Sequence, residues 1–235
     1  MTQSALLQKR AAARPQPKRT MQKQPSSLAE KAYSVIEEMI VTLKLAPGTI
    51  FSEAELSREI NIGRTPLREA LQRLTSERLV VTMPRRGMMV TEVNITEHLA
   101  LLETRRVLDR LIATRAARRA TPEHRAQLAD LAANLAAAAR TQHTAEFMRY
   151  DRECDQVLED ASRNPFAARA CAPLHAHCRR FWYLYQGNGD LGQSATLHAK
   201  LMDTVAEGNE EAAAAASDQL MDYLEQFTRA ALEMF

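Results

Sequence analysis

Residues 63 to 74, Gly-Arg-Thr-Pro-Leu-Arg-Glu-Ala-Leu-Gln-Arg-Leu, put leucines on one side of a short helix and cations on the other. Leu67, Leu71 and Leu74 follow the spacing of a buried stripe, while Arg64, Arg68 and Gln72 recur every fourth residue on the remaining face. A helix of this kind presents guanidinium groups to a polyanion while its leucines hold it to a small core. Thr65 is expected to cap it, with Pro66 at the first helical position, where a missing N–H costs nothing. A solvated, functionless face is the plain alternative, and the neighbouring elements decide against it.

Those neighbours read in order as a winged helix-turn-helix. Ser27 and Glu30 form a capping box ahead of Leu28, Ala32, Val35, Ile36, Met39 and Leu43, a stripe stopped by Pro47-Gly48. Ser52 and Glu55 form a second box, Leu56 and Ile60 face inward, and Asn61-Ile62-Gly63 turns the chain into the arginine helix. Strands expected over Leu79 to Met83 and Met88 to Thr91 flank Pro84-Arg85-Arg86-Gly87, a hairpin tip that carries two more arginines.

From Thr96 onward alanine, leucine, glutamate and arginine dominate, without strand-like alternation. Breaks near Thr121-Pro122, Arg140 to His143, Asn164-Pro165, Gly187 to Gly192 and Gly208-Asn209 predict a bundle of six helices. The alanine-rich stretch carries Leu128, Leu131 and Leu135 at helical spacing, so it is an amphipathic helix rather than low complexity. The fold class expected is mainly α: a winged helix-turn-helix over 25–91 and an all-α bundle over 95–235, preceded by a disordered basic arm over 1–24.

The arginine-helix motif, the upstream Leu-Ala-Pro-Gly-Thr and the segment Glu103-Thr104-Arg105-Arg106-Val107-Leu108-Asp109 together resemble the GntR family of bacterial transcription regulators. Within it the chain is similar to the FadR-like subgroup with an all-helical effector (FCD) domain, and six helices resemble its VanR-like branch. The resemblance implies that Arg64, Thr65, Arg68 and Gly87 approach an operator, to which the exposed face and hairpin tip add Gln72 and Arg86. Ala54 and Gly63 stand where some relatives carry an arginine and a serine or threonine.

Charge and composition set the compartment and the partners. The net charge is +2, yet residues 1–24 hold six Lys and Arg and no acid, which leaves 25 basic against 29 acidic residues in the remainder. The leader therefore reads as an arm that samples phosphates or as a simple tail. A transit peptide is also basic and acid-poor, a reading disfavoured by the winged helix just downstream. No apolar run approaches the ~20 residues that span a bilayer, and Cys154, Cys171 and Cys178 are an odd number without an export signal. A cytoplasmic protein with reduced thiols and no membrane partner is expected.

In the bundle, ionisable groups on apolar stripes mark the site, because an unpaired buried charge costs several kcal/mol. Asp151 and Asp155 share a face with Phe147, Cys154 and Leu158, and His198 shares one with Leu201, Met202 and Val205. In metal-binding relatives an Asp and a His four residues later join two further His; the resemblance matches Asp151 and His198, places Asp155 at the first His and Leu220 at the last. Asp151, Asp155 and His198 are thus the candidate ligands of one divalent metal, weighed against a metal-free cavity, and no organic cofactor is expected. The resemblance also points Arg105 into the cavity, so Arg105, Asp151 and His198 are the candidate effector contacts, with an internal Arg105–Asp109 pair as the alternative. Cys171, His175 and Cys178 share a face, but Pro173 is expected to disturb that helix start, which favours small buried cysteines and a partly exposed histidine; His175 replacing a lost ligand is a further option. Arg179, Arg180, Trp182 and Tyr183 line the cavity or close the bundle.

The function expected is a homodimeric, ligand-responsive transcription regulator, a repressor bound to a palindromic double-stranded DNA operator and responding to a small carboxylate-containing effector. Two other classes compete: a metal-dependent hydrolytic enzyme built on Asp151, Asp155 and His198, and a constitutive DNA binder with a non-sensing cavity. The enzyme is disfavoured because no nucleophile motif or phosphate loop accompanies those residues.

Overall fold

In the computed structural model, which describes residues 27–233, the element order is α1 (Leu28–Val41), β1 (Ile50–Phe51), α2 (Glu53–Glu59), α3 (Arg64–Ser76), β2 (Val80–Met83), β3 (Gly87–Val90), α4 (Ile95–Arg119), α5 (Pro122–Arg140), α6 (Thr144–Ser162), α7 (Pro165–Tyr185), a 3-10 turn (Gln186–Asn188), α8 (Leu191–Glu207) and α9 (Glu210–Leu232). The basic arm expected over 1–24 lies outside the described residues.

Local chemistry sets most boundaries. Both capping boxes form, Ser27 with Glu30 and Ser52 with Glu55. Asn94, Thr121, Asn164, Asp190 and Asn209 cap later helices with their side chains, and Pro122 and Pro165 sit in first turns. The six helices expected after Thr96 are present, and Leu128, Leu131 and Leu135 are buried.

Four local expectations are corrected. Thr65 does not cap α3: the N-cap is Gly63, with no side-chain bond, and Pro66 is the third helical residue. A proline fits there because none of the first turn's N–H groups has an intrahelical partner. α1 ends at Val41, since Leu43 takes a left-handed φ of 62°, and Leu28 and Val35 are exposed rather than part of the stripe. The first hairpin strand begins one residue later than expected, at Val80, and ends at Met83 as expected, while the second, Gly87–Val90, lies one residue earlier at both ends. Pro173 does not interrupt its helix, because α7 runs through it to Tyr185; burial on two faces of α7 offsets the roughly 3 kcal/mol an interior proline costs.

β1 was not anticipated. It pairs antiparallel with β3, giving a sheet of order β1-β3-β2 with Ile50 opposite Met89 and Val80 opposite Val90. Two cores result. One joins α1, α2, α3 and the sheet around Ile36, Ile40, Leu56, Leu67, Leu74 and Leu79. The other fills the bundle around Leu128, Leu135, Phe147, Phe181, Met202 and Met221. Ala176, on α7, belongs to the first core rather than to the bundle's own. The winged helix is therefore seated on α7.

Candidate functional site

The α3 surface places Arg64, Thr65, Arg68 and Gln72 in solvent, while Leu67, Leu71 and Leu74 are buried. Between α3 and the hairpin lies a groove of about 550 Å³ whose lining includes Arg68, Gln72, Arg85 and Gly87. Arg64, Thr65 and Arg86 stand outside that lining, Arg86 exposed at the hairpin tip. Arg68 Nε is 2.7 Å from Glu53 Oε2, an exposed pair on the groove's edge. Gly87 has a structural reason to be glycine: its φ is 103°, and a Cβ there would meet the Phe51 carbonyl oxygen at 2.5 Å. Its bare backbone lets β1 approach β3 and fixes the hairpin beside α3.

Inside the bundle, four helices contribute side chains at four-residue spacing, and the ladders face one another. Such spacing stacks groups on one helix face: Arg105 and Asp109 on α4, Asp151, Asp155 and Glu159 on α6, Cys171, His175 and Arg179 on α7, Ser194 and His198 on α8. Arg105 Nε lies 2.8 Å from Asp109 Oδ2. Asp109 Oδ1 is 2.9 Å from both Cys171 Sγ and His175 Nε2. Arg179 Nη1 lies 2.8 Å from Asp155 Oδ2 and 3.7 Å from Asp151 Oδ2. His198 Nε2 is 2.8 Å from Asp151 Oδ1, with its Nδ1 donating to the Ser194 carbonyl at 2.8 Å. His175 is buried rather than partly exposed.

Burial and pairing pull these groups in opposite directions. For Asp109 burial favours the neutral acid, but the Arg105 charge and His175 outweigh it and hold the carboxyl below its usual range. Burial likewise opposes ionisation of Asp151, and the His198 hydrogen bond and Arg179 overcome it. In Asp155 burial wins, aided by the charge of Asp151, and the carboxyl is raised. Burial pushes Glu159 up to about 7. His198 is disfavoured as a cation by burial but raised on balance by Asp151. The network is thus a nearly self-neutralised column.

The expected effector contacts Arg105, Asp151 and His198 do line one cavity, together with Asp155, His175 and Arg179, but its volume is about 30 Å³. A second, of about 20 Å³, is lined by Arg105, Asp109, Asp155, His175 and His198. Each is the size of about one water molecule. The ion pair Arg105–Asp109, the alternative reading, is formed. The expected metal set fits poorly: Leu220 carries no donor atom, Asp155 faces the Arg179 guanidinium, and only Asp151 and His198 remain as an adjacent pair. Among the described residues the donors that gather in a group of three, within 4.8 Å of one another, are instead Asp109, Cys171 and His175. Pro173 concealed this in the sequence, because it argued against a continuous helix through Cys171 and His175.

Sequence reasoning also missed Glu37 and Arg152. Glu37 on α1 is buried, with Oε2 2.9 Å from Arg152 Nη2 on α6 and Oε1 3.6 Å from Arg179 Nη2. Burial raises its carboxyl, against the lowering pull of both arginines. Arg179 therefore touches the bundle's polar column with one nitrogen and approaches the winged helix with another. The outer face of α7 completes the seat: His177 Nε2 is 2.8 Å from the Glu77 carbonyl oxygen, Arg180 Nη1 donates to the Thr91 carbonyl at 3.1 Å, and Tyr183 packs on the winged-helix core. Arg179 and Trp182 line the cavity, Arg180 faces the winged helix, and Tyr183 packs against both cores.

Residues 28–90 match the family described as bacterial regulatory proteins, gntR family, and residues 100–223 match the FCD domain. An uncharacterized HTH-type transcriptional regulator from an unstable DNA locus of Streptomyces ambofaciens is 42% identical over 62 residues, 26% of each chain. The HTH-type transcriptional repressor RspR of Escherichia coli K12 is 28% identical over 155 residues, 66% of this chain and 68% of its own. The chain thus spans about a quarter of the first relative's length and two thirds of the second's. The solved structure of E. coli McbR/YncC superposes with a TM-score of 0.78 at 18% identity, covering 88% of this chain and all of that one, a likeness of fold. No helix among the described residues is long and apolar enough to cross a membrane.

Proposed function

The chain belongs to the GntR family, as a DNA-binding transcription regulator with an FCD effector-binding domain, and from that premise we propose that it is a cytoplasmic homodimeric repressor released from a palindromic operator by a small organic acid. The winged helix over 25–91 binds DNA, and the bundle over 95–235 dimerises and holds the effector. Arg64, Arg68 and Gln72 enter the major groove from α3, Thr65 and Gly87 approach the backbone, and Arg86 extends the contact from the hairpin. Two-fold protein symmetry is mirrored in the operator. A relative described as a repressor supports the sign of regulation.

The observation that carries the reading is the position of Arg179 between Asp155, at 2.8 Å, and Glu37 of α1, at 3.6 Å. An acid that enters beside Arg105, Asp151 and His198 competes with the aspartates for guanidinium groups through paired hydrogen bonds. Any shift of Arg179 then changes its attraction for Glu37, and with it the seating of the winged helix on α7. Ligand binding thereby redistributes two arrangements of the DNA-binding heads. The cavities are too small for an organic acid as they stand, so the open arrangement is the one the ligand selects.

Fluorescence anisotropy of a labelled promoter fragment, titrated with and without a panel of small carboxylic acids, tests this. At least one acid should weaken operator binding by about 1–3 kcal/mol, and Glu37→Gln should bind the operator while losing most of that response. Identical affinity with every acid would exclude the mechanism. The small cavities favour a second reading, a constitutive DNA binder, and the absence of thermal stabilisation by any carboxylate would support it.

A further inference from the structure

Cys171 and His175 have no part in that mechanism, yet their Sγ and Nε2 atoms and the Oδ1 of Asp109, the carboxylate oxygen turned away from Arg105, form a triangle with sides of 2.9, 2.9 and 3.1 Å. We propose that Asp109, Cys171 and His175 form a transition-metal site suited to Zn2+, distinct from the Asp151–His198 pair across the column. Cys171 and His175 are one turn apart on α7 and present their donors on one face, while Asp109 comes from α4, so the ligands converge from two elements. Sulfur, imidazole and carboxylate are the donors zinc takes. A thiolate among them selects against Mg2+ and Ca2+. Tetrahedral ligation needs donors about 3.3–3.6 Å apart, given metal–ligand lengths of about 2.0–2.3 Å, so the side chains spread by about half an ångström per pair.

The surroundings are those of a supported site. Asp109 divides its oxygens: Oδ2 is held by Arg105, and Oδ1 faces the triangle. His175 is 4% exposed, and its Nδ1 has no aligned hydrogen bond. That nitrogen lies 3.1 Å from Asp155 Oδ2 and 3.6 Å from Glu159 Oε1. Ligation through Nε2 leaves the ring proton on Nδ1, beside those carboxylates, and a small turn of the ring on loading would align it with Asp155 in the carboxylate–histidine–metal arrangement that orients ligands in metal sites. The cavity of about 20 Å³ lined by Asp109 and His175 leaves room for a water or a ligand atom in the fourth position. On loading, the Cys171 thiol releases its proton to solvent, and the thiolate and the Asp109 carboxylate balance the charge of the ion.

Full-length protein stripped by a chelator and titrated with Co2+, then with competing Zn2+, provides the test. Stoichiometric Co2+ should give a sulfur-to-cobalt charge-transfer band in the near ultraviolet, a readout of the wild-type protein that depends on no variant. Cys171→Ser should abolish the band and weaken Zn2+ binding by about 100-fold or more, Cys178→Ser should keep both, and Asp155→Asn should weaken Zn2+ by about 10-fold while retaining the band. Unfolding curves of the stripped variants separate loss of metal from loss of fold. Absence of the thiolate band overturns the proposal, as does Zn2+ binding that survives Cys171→Ser and is lost on His198→Ala.

Discussion

Arg68 has two claims on its charge, the Glu53 carboxylate at 2.7 Å and the DNA it is proposed to read. Surface pairs of this kind contribute less than about 1 kcal/mol, so the pair orients the guanidinium without trapping it. Arg68→Ala should cost about 1–3 kcal/mol of operator binding and relax sequence preference at one base pair, as read by anisotropy against mutated operators; a uniform loss on all sequences would make it a phosphate contact instead. Gly87→Ala should destabilise the fold by about 1–3 kcal/mol in denaturant titrations, through its φ of 103° and the Phe51 carbonyl. His98 offers a pH test. It is stacked on Phe181 at 4.0 Å, and burial, reinforced by the Arg105, His177 and Arg180 charges, lowers its pKa to about 3. Below about 6.5 the unfolded chain takes a proton that the folded chain refuses, so this stability is complete above that pH and is lost as pH falls toward 3. His98→Phe should flatten unfolding free energy against pH by up to about 1.4 kcal/mol per unit in that window; an unchanged slope would contradict it. Of the buried site, the sequence showed what four-residue spacing shows, Arg105 with Asp109 and Asp151 above Asp155. Partners such as Glu37 and Arg179 are far apart in the chain and meet only through docking, which no local pattern encodes.

At the scale of elements, α7 is the structural centre of the account, with Cys171, His175 and Arg179 turned to the bundle and Ala176, His177 and Arg180 to the winged helix. Ala176 is fully buried in the winged-helix core. Ala176→Leu should therefore cost about 1–3 kcal/mol by overpacking, seen as a lower midpoint in thermal unfolding; an unchanged midpoint would mean that the head does not rest on α7. The long bundle helices were readable because each break carried a cap, a proline or a glycine. β1 was not, since two residues are too short for alternation to show and its existence depends on β3. Pro173 misled for the complementary reason: a local rule against interior proline is overridden when both faces of the helix are buried. The Gly63 start of α3 belongs with these, because a proline fits anywhere in a first turn and so marks it only to within two residues.

For the whole molecule, net charge explains little of the proposed DNA binding. Outside residues 1–24 the chain carries 25 basic against 29 acidic residues, so attraction to a duplex must come from where arginines stand rather than from how many there are. α3 and the hairpin bring Arg68 and Arg85 to one groove and leave Arg64 and Arg86 exposed on the same two elements, and dimerisation through the bundle would present that head twice. Sedimentation equilibrium should accordingly report a dimer that persists without DNA, and a monomer at the concentrations used for binding would contradict the symmetric operator. The most direct measurement is anisotropy of a labelled fragment of the regulated promoter against the Arg64→Glu/Arg68→Glu double variant, with unfolding curves to verify its fold. A folded, dimeric variant should lose specific binding, and wild-type affinity in that variant would contradict DNA reading by α3.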